Sequence, residues 1–201
     1  MIPGHAEQCE FEYKRYGTQT LIGNFEVATG EVIAPTVQQT RNEADFATHI
    51  DQTIATDPDA GWIFVADNLT THCSATLVLL IAGLCGIPVE TLGKKGKSGV
   101  LKSVATRRKF LGDATHRVHF VYVPKHTSWM NQVEIWFSVL SRRVIRRGNF
   151  TSREDLRARI LKFIDYYNDT MAKPYKWTYA GRPLNVGGKK KRSRGSWIRP
   201  R

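Results

Sequence analysis

The stretch at residues 62–72, W-I-F-V-A-D-N-L-T-T-H, does most to limit what this chain can become. Its first five residues form a short apolar run that fits a buried strand, and the run stops at Asp67 and Asn68 before a second apolar segment starts at Ala75. In a mixed α/β sheet, groups at the carboxyl ends of strands line the crevice where ligands bind, so Asp67 is a candidate for chemistry. Asp and Asn also make turns and cap the helices that follow them. Taken alone, that plainer reading is the favoured one.

The regions on either side supply the elements such a strand needs. β-Formers cluster at residues 18–27 and 31–37 around Thr29 and Gly30, which predicts an antiparallel hairpin with Gly at its turn. Thr40 and Glu43 have capping-box spacing, and Phe46, Ile50 and Ile54 follow at intervals of four, predicting an amphipathic helix to about Thr56. Beyond Asp67, Thr70 or Thr71 can cap a helix at residues 75–84 that is apolar on nearly every side and therefore buried. Gly86 ends it, and residues 87–92 fit a further strand.

Residues 93–108 are rich in Gly, Lys and Arg and read as an exposed loop leading into a short helix. The order of a phosphate-binding loop is not met, because Gly93 is followed by Gly96-Lys97-Ser98 after two residues where four are required. Lys94, Lys95 and Lys97 then serve a nucleic-acid backbone or merely solvate the loop.

A clear strand, V-H-F-V-Y-V, occupies residues 118–123 and is stopped by Pro124. In the segment that follows, Val133, Phe137, Leu140 and Val144 recur at helical spacing and define a core face, placing Glu134 beside it in the first turn. Asn131 and Glu134 also have capping spacing, so Glu134 fits a structural role too. Arg142, Arg143, Arg146 and Arg147 suit the negative pole of that helix and equally suit phosphates. Thr151 and Glu154 repeat the capping pattern, and Leu156, Ile160, Phe163 and Tyr167 give the last helix an apolar stripe.

Charge narrows the partner. Lys and Arg number 30 against 18 Asp and Glu, a net charge of +12, and pI is about 9.8. Such a surplus is the footprint of a nucleic-acid binder, and it suits any other acidic surface. Lys189, Lys190, Lys191, Arg192, Arg194, Arg199 and Arg201 lie in a tail without acidic residues, predicted to be disordered. Three cysteines without a C-x-x-C pair argue against a disulfide framework or thiolate zinc site, and predict free thiols in a reducing compartment. No apolar run reaches the roughly 20 residues a membrane span needs, and the amino terminus lacks signal-peptide character, so a cytoplasmic protein is expected.

Hairpin, helix, strand ending in Asp, helix, strand, helix bearing Glu: this order resembles a ribonuclease-H-like α/β fold, a mixed sheet flanked by helices, without its first strand. The motifs make the likeness closer. V-A-D-N-L-T-T-H at residues 65–72 resembles the second-aspartate motif of the DDE transposase superfamily. V-Y-V-P-K-H-T-S-W-M-N-Q-V-E-I-W-F at residues 121–137 resembles its glutamate motif. Within the superfamily the chain resembles bacterial insertion-sequence family six-thirty, which groups with the mariner elements. The likeness runs from about Tyr13 to Leu184 and includes Y-K-R-Y-G-T-Q-T-L, the basic G-K-K-G-K-S-G loop, Y-Y-N and W-T-Y-A-G-R-P-L.

The resemblance implies a leading segment at residues 1–16, a catalytic domain at 17–184 and a basic tail at 185–201. It implies Asp67 and Glu134 as catalytic metal ligands for a two-ion Mg²⁺ or Mn²⁺ site, with Asn68, His72, His126 and Asn131 placed to orient ligands or water. It implies DNA as partner, in the form of insertion-sequence ends and target, held by Lys94, Lys95, Lys97, Arg142, Arg143, Arg146, Arg147, Lys189, Lys190, Lys191 and Arg192. A second copy or a full-length transposase is a further expected partner, and the bacterial nucleoid the expected location.

The family's first aspartate, which ends a strand before the hairpin, has no counterpart here. Glu7, Glu10 and Glu12 do not end an apolar strand. The chain by itself is therefore expected to be inactive or nearly so. The alternative function is a DNA-binding module without catalysis; an RNA-binding protein would explain the charge but neither motif.

Overall fold

The structure, a computed structural model, describes residues 16–124 and 132–174. Strands β1 (Thr20–Phe25) and β2 (Val32–Gln38) form the expected antiparallel hairpin, turning at Thr29 and Gly30. Its register shifts between Ile22 and Asn24, where Ala34 takes φ 45°. The shift is a bulge on β2, and it accommodates Pro35, which has no N–H for a ladder.

Helix α1 (Glu43–Ile54) follows, but its cap is Asn42 rather than Thr40. The Asn42 side chain accepts from the Ala44 and Asp45 amides, and Asp45 returns to the Asn42 amide at 2.8 Å. Thr40 donates its hydroxyl to Asp45 at 2.7 Å, so the predicted box is shifted by two residues. An Asn side chain reaches those amides as readily as Thr, and spacing alone does not rank them.

Strand β3 (Trp62–Ala66) pairs in parallel with β4 (Val118–Tyr122), from Trp62 against Val118 to Ala66 against Tyr122. Between them run a 3₁₀ turn (Thr70–Cys73), α2 (Ala75–Leu84), two short 3₁₀ turns (Val89–Leu92 and Val100–Lys102) and α3 (Val104–Leu111). Ser74, not Thr70 or Thr71, caps α2, because the two threonines are taken up in the 3₁₀ turn. The strand expected at residues 87–92 is also a 3₁₀ turn: Pro88 opens it, and its carbonyl accepts from both the amide and the hydroxyl of Thr91.

Helix α4 (Gln132–Leu140) continues into a π-helical turn (Ser141–Ile145), and α5 (Arg153–Thr170), capped by Ser152, completes the described chain. Trp136 and Leu140 are the buried residues of α4, with Phe137 and Val144 packed against them. The indole of Trp136 meets Tyr167 of α5 edge-on, with ring centroids 6.1 Å apart.

Two cores result. The larger joins Ile50 and Ile54 of α1, Phe64 and Ala66 of β3, Leu77, Val78, Ile81 and Ala82 of α2, Leu111 of α3, and Val118 and Phe120 of β4. The smaller joins Val32 and Val37 of β2 to Trp136, Leu140, Ile160 and Ile164 of α4 and α5. Among the described residues the expected single mixed sheet is two separate two-stranded sheets.

Helix α1 reaches the hairpin through a buried polar cluster. Asn24 of β1 donates to His49 Nε2 at 2.9 Å and to Thr53 at 2.6 Å, while His49 Nδ1 lies 2.9 Å from the Thr36 hydroxyl. Because Nε2 faces a donor, the proton sits on Nδ1, which donates to the Thr36 hydroxyl, and that hydroxyl donates onward to Gln52. Burial holds His49 neutral and lowers its pKa to about 4. Both described cysteines, Cys73 and Cys85, are free thiols. No helix of the described residues is long and apolar enough to cross a membrane.

Candidate active site

Asp67 follows β3 directly. Its Oδ1 accepts from the Leu69 amide at 3.0 Å, an Asx turn, and lies 2.7 Å from His72 Nδ1. His72 is held in turn: its ring lies against Phe46 of α1 with centroids 4.2 Å apart, and its carbonyl accepts from the Tyr122 hydroxyl at 2.8 Å. Burial pushes the Tyr122 phenol well above its ordinary range, so it stays a proton donor to that carbonyl. Of the two roles open to Asp67, turn-making and presentation to a crevice, the geometry contains both.

Asn68 bonds across to the neighbouring strand. Its amide donates to the Val123 carbonyl at 2.6 Å, tying the end of β3 to the end of β4. The neighbouring Val123 amide donates to the Ala66 carbonyl at 3.0 Å, so the two strand ends are bonded on both sides of Asp67.

Glu134, exposed in the first turn of α4, lines the same cleft as Asp67 and His72. Asn24, Arg41, Asn42, Phe46, Thr71 and Phe137 complete much of that cleft. Periodicity did not single out Arg41 or Asn24 as site residues; an Asn inside a strand of apolar residues was the one available signal. His126 and Asn131 lie outside the described residues, as do Lys189, Lys190, Lys191 and Arg192.

The donor types suit a hard divalent ion, which prefers oxygen ligands, but their number does not complete a site. Among the described residues no three His, Cys, Asp or Glu side chains gather as a metal-holding group. The geometry offers two carboxylates lining one cleft, one of them in close contact with a histidine ring.

The basic residues divide into two groups. Lys95 is paired with Glu43 of α1 at 3.0 Å, leaving Lys94 and Lys97 of that loop without an ion pair among the described residues. The loop itself is tight: Gly93 and Gly99 both have positive φ, and a Cβ on either would collide with the backbone of the opposite arm. Arg142, Arg143 and Arg147 surround a single recess with Val139, Phe163 and Met171, and Arg146 stands outside it.

A family model of the DDE superfamily endonucleases matches residues 1–157 of the chain. The chain belongs to the DDE superfamily endonuclease family. The matched span of this DDE endonuclease contains Asp67, His72, Glu134 and the arginines of the π-helical turn, and it stops within α5. A DNA substrate follows from membership at the level of the superfamily. Neither the curated proteins nor the solved structures compared with the chain give a significant match.

Proposed function

We propose that this DDE endonuclease is the transposase of a bacterial insertion sequence, of the family six-thirty type, acting on DNA ends and target by strand cleavage and strand transfer. The observation that carries the reading is the convergence of Asp67, at the end of β3, and Glu134, at the start of α4, on one cleft. The parallel β3–β4 pair beside an antiparallel hairpin supports a ribonuclease-H-like arrangement of the parts.

Asp67 and Glu134 would be two of the carboxylates that hold Mg²⁺ or Mn²⁺. A bound pair of such ions supplies charge stabilisation to the attacking and leaving oxygens of an in-line phosphoryl transfer. The chain's own residues do the rest. His72 and the Leu69 amide fix the Asp67 carboxylate, the Asn68 tie keeps its backbone in place, and Arg41 faces the same cleft with positive charge. Lys94, Lys97 and the arginines at positions 142, 143 and 147 hold the DNA backbone.

With two carboxylates and no third among the described residues of the cleft, DNA binding with weak cleavage is expected of the 201-residue chain. The test is plasmid nicking and DNA binding with Mg²⁺ or Mn²⁺, using the wild type, Asp67→Ala and Glu134→Ala. Cleavage that is weak and disappears in both variants, with affinity kept, supports the reading. Vigorous cleavage that survives both substitutions overturns it. Binding with no cleavage under any condition favours the second reading, a DNA-binding module, to which the three-arginine recess points.

A further inference from the structure

The recess where the end of α4 and the π-helical turn meet α5 has a make-up that a plain grip on DNA phosphates does not explain. Arg142, Arg143 and Arg147 line it together with Val139, Phe163 and Met171, and its volume of about 670 Å³ falls in the range of small-molecule sites. The π-helical turn gathers the arginines. The Arg146 amide bonds to the Ser141 carbonyl at 2.9 Å, five residues back, so residues five apart stack along this turn and Arg142 is carried toward the side of Arg147. In a regular α-helix the two would point about 140° apart.

Neither half of this lining is satisfied by the described protein. All three arginines are exposed, and among the described residues none of them forms an ion pair. Phe163 is only partly buried. It ends a row of rings that starts in the smaller core: the buried Trp136 meets Tyr167 with centroids 6.1 Å apart, and Tyr167 meets Phe163 at 6.4 Å. The row holds the Phe163 ring at the wall of the recess without covering it. A flat apolar ring beside three unneutralised guanidinium groups fits a ligand that carries both a π-face and negative charge.

We propose that this recess binds one unpaired nucleotide of a DNA strand, its base stacked on Phe163 and its phosphates held by Arg142, Arg143 and Arg147. A paired duplex does not fill such a site, because its bases are stacked inside and it meets the arginines while leaving the apolar lining empty. An acidic peptide likewise answers the charge and leaves the ring uncovered. An unpaired nucleotide answers both, and stacking on an aromatic ring tolerates any base. Arg142 follows Glu134 by eight residues on one continuous helical run, about 12 Å along its axis, so a strand held here continues toward the cleft. Resting on the proposed action on DNA, the assignment adds that the DNA is unpaired beside the cleft.

The experiment compares two DNA duplexes binding to the full 201-residue chain without metal, one fully paired and one with a few unpaired thymidines on one strand. The second should bind about fivefold more tightly or better. With 5-iodouracil in place of the unpaired thymidines, light should cross-link that strand to Phe163 or Met171. Phe163→Leu, which keeps an apolar side chain against Tyr167, should make the two affinities equal, and Phe163→Trp should restore the difference. Arg142→Ala combined with Arg143→Ala should weaken the binding of both DNAs. Equal affinities in the wild type, cross-links confined to other parts of the chain, a preference that survives Phe163→Leu, or displacement of the unpaired DNA by polyglutamate more readily than by oligothymidylate would each overturn the proposal. Binding of the paired duplex without preference would leave the DNA reading standing; failure of both DNAs to bind would remove that reading as well.

Discussion

Asp67 stands on ground that is tied down from every side, whereas Glu134 reaches the same cleft from a helix belonging to the other core. Around Asp67 the strand ends are bonded to each other, His72 is packed on Phe46, and Leu77, Val78, Ile81 and Ala82 beneath are fully buried. Around Glu134 the carboxylate makes no hydrogen bond or ion pair with described residues, and α4 rests on the hairpin and α5. The difference teaches that the cleft is a seam between two packing units, so the distance between its carboxylates is set by how those units meet.

The largest way to break that contrast is to hollow out one unit at a time. Leu77→Ala should cost about 2–5 kcal/mol and Trp136→Ala about 3–5 kcal/mol, measured by denaturant unfolding. Amide exchange should then quicken first in β3 and β4 for Leu77→Ala, and first in β1, β2 and α5 for Trp136→Ala. Uniform quickening in both variants would mean that the molecule has one cooperative core.

A pH titration sharpens the contrast from the α1 side. His49 titrates at about 4 when folded and near 6.5 when unfolded, so the unfolded chain binds its proton first as pH falls. Stability is unaffected by this group above about pH 6.5 and drops by on the order of 3 kcal/mol on going down to pH 4. His49→Gln should flatten that part of the stability curve; an unchanged slope would remove His49 as its source.

Smaller effects follow from the surface. Asn42→Ala removes the cap of α1 and should cost about 1 kcal/mol, whereas Thr40→Ala should cost less, separating the observed cap from the one that spacing suggested. Replacing Arg142, Arg143 and Arg147 together by Ala should make the dependence of log K on log salt shallower by roughly two to three units if each meets a phosphate. Arg146→Ala, outside the recess, should change it less.

Much of the local structure was legible. The hairpin, β3, β4 and the amphipathic α1 follow from alternation, four-residue spacing and Gly at turns, because these patterns reflect which side of a backbone faces water. The cap positions were misplaced by one to four residues, since Thr, Ser and Asn all accept the same amide bonds and the sequence offered them close together. The residues 87–92 looked like a strand from their apolar content, but a strand needs a neighbour to bond with, and Pro88 instead leads into a tight turn. For the site, the motifs named Asp67 and Glu134 but showed neither the tie from Asn68 to Val123 nor Arg41 in the cleft, since contacts between distant segments are invisible in a linear pattern.

By itself, then, the sequence determined the elements, the positive charge and two motif carboxylates, all properties carried by residues within a turn or a strand of one another. Only the tertiary structure decided that Asp67 and Glu134 share a cleft, that Asn68 fastens two strand ends, and that the described strands form two separate sheets. The physical reason is that hydrogen bonds and burial are satisfied between segments far apart in the chain, and local pattern records only that a partner is needed, not which one arrives.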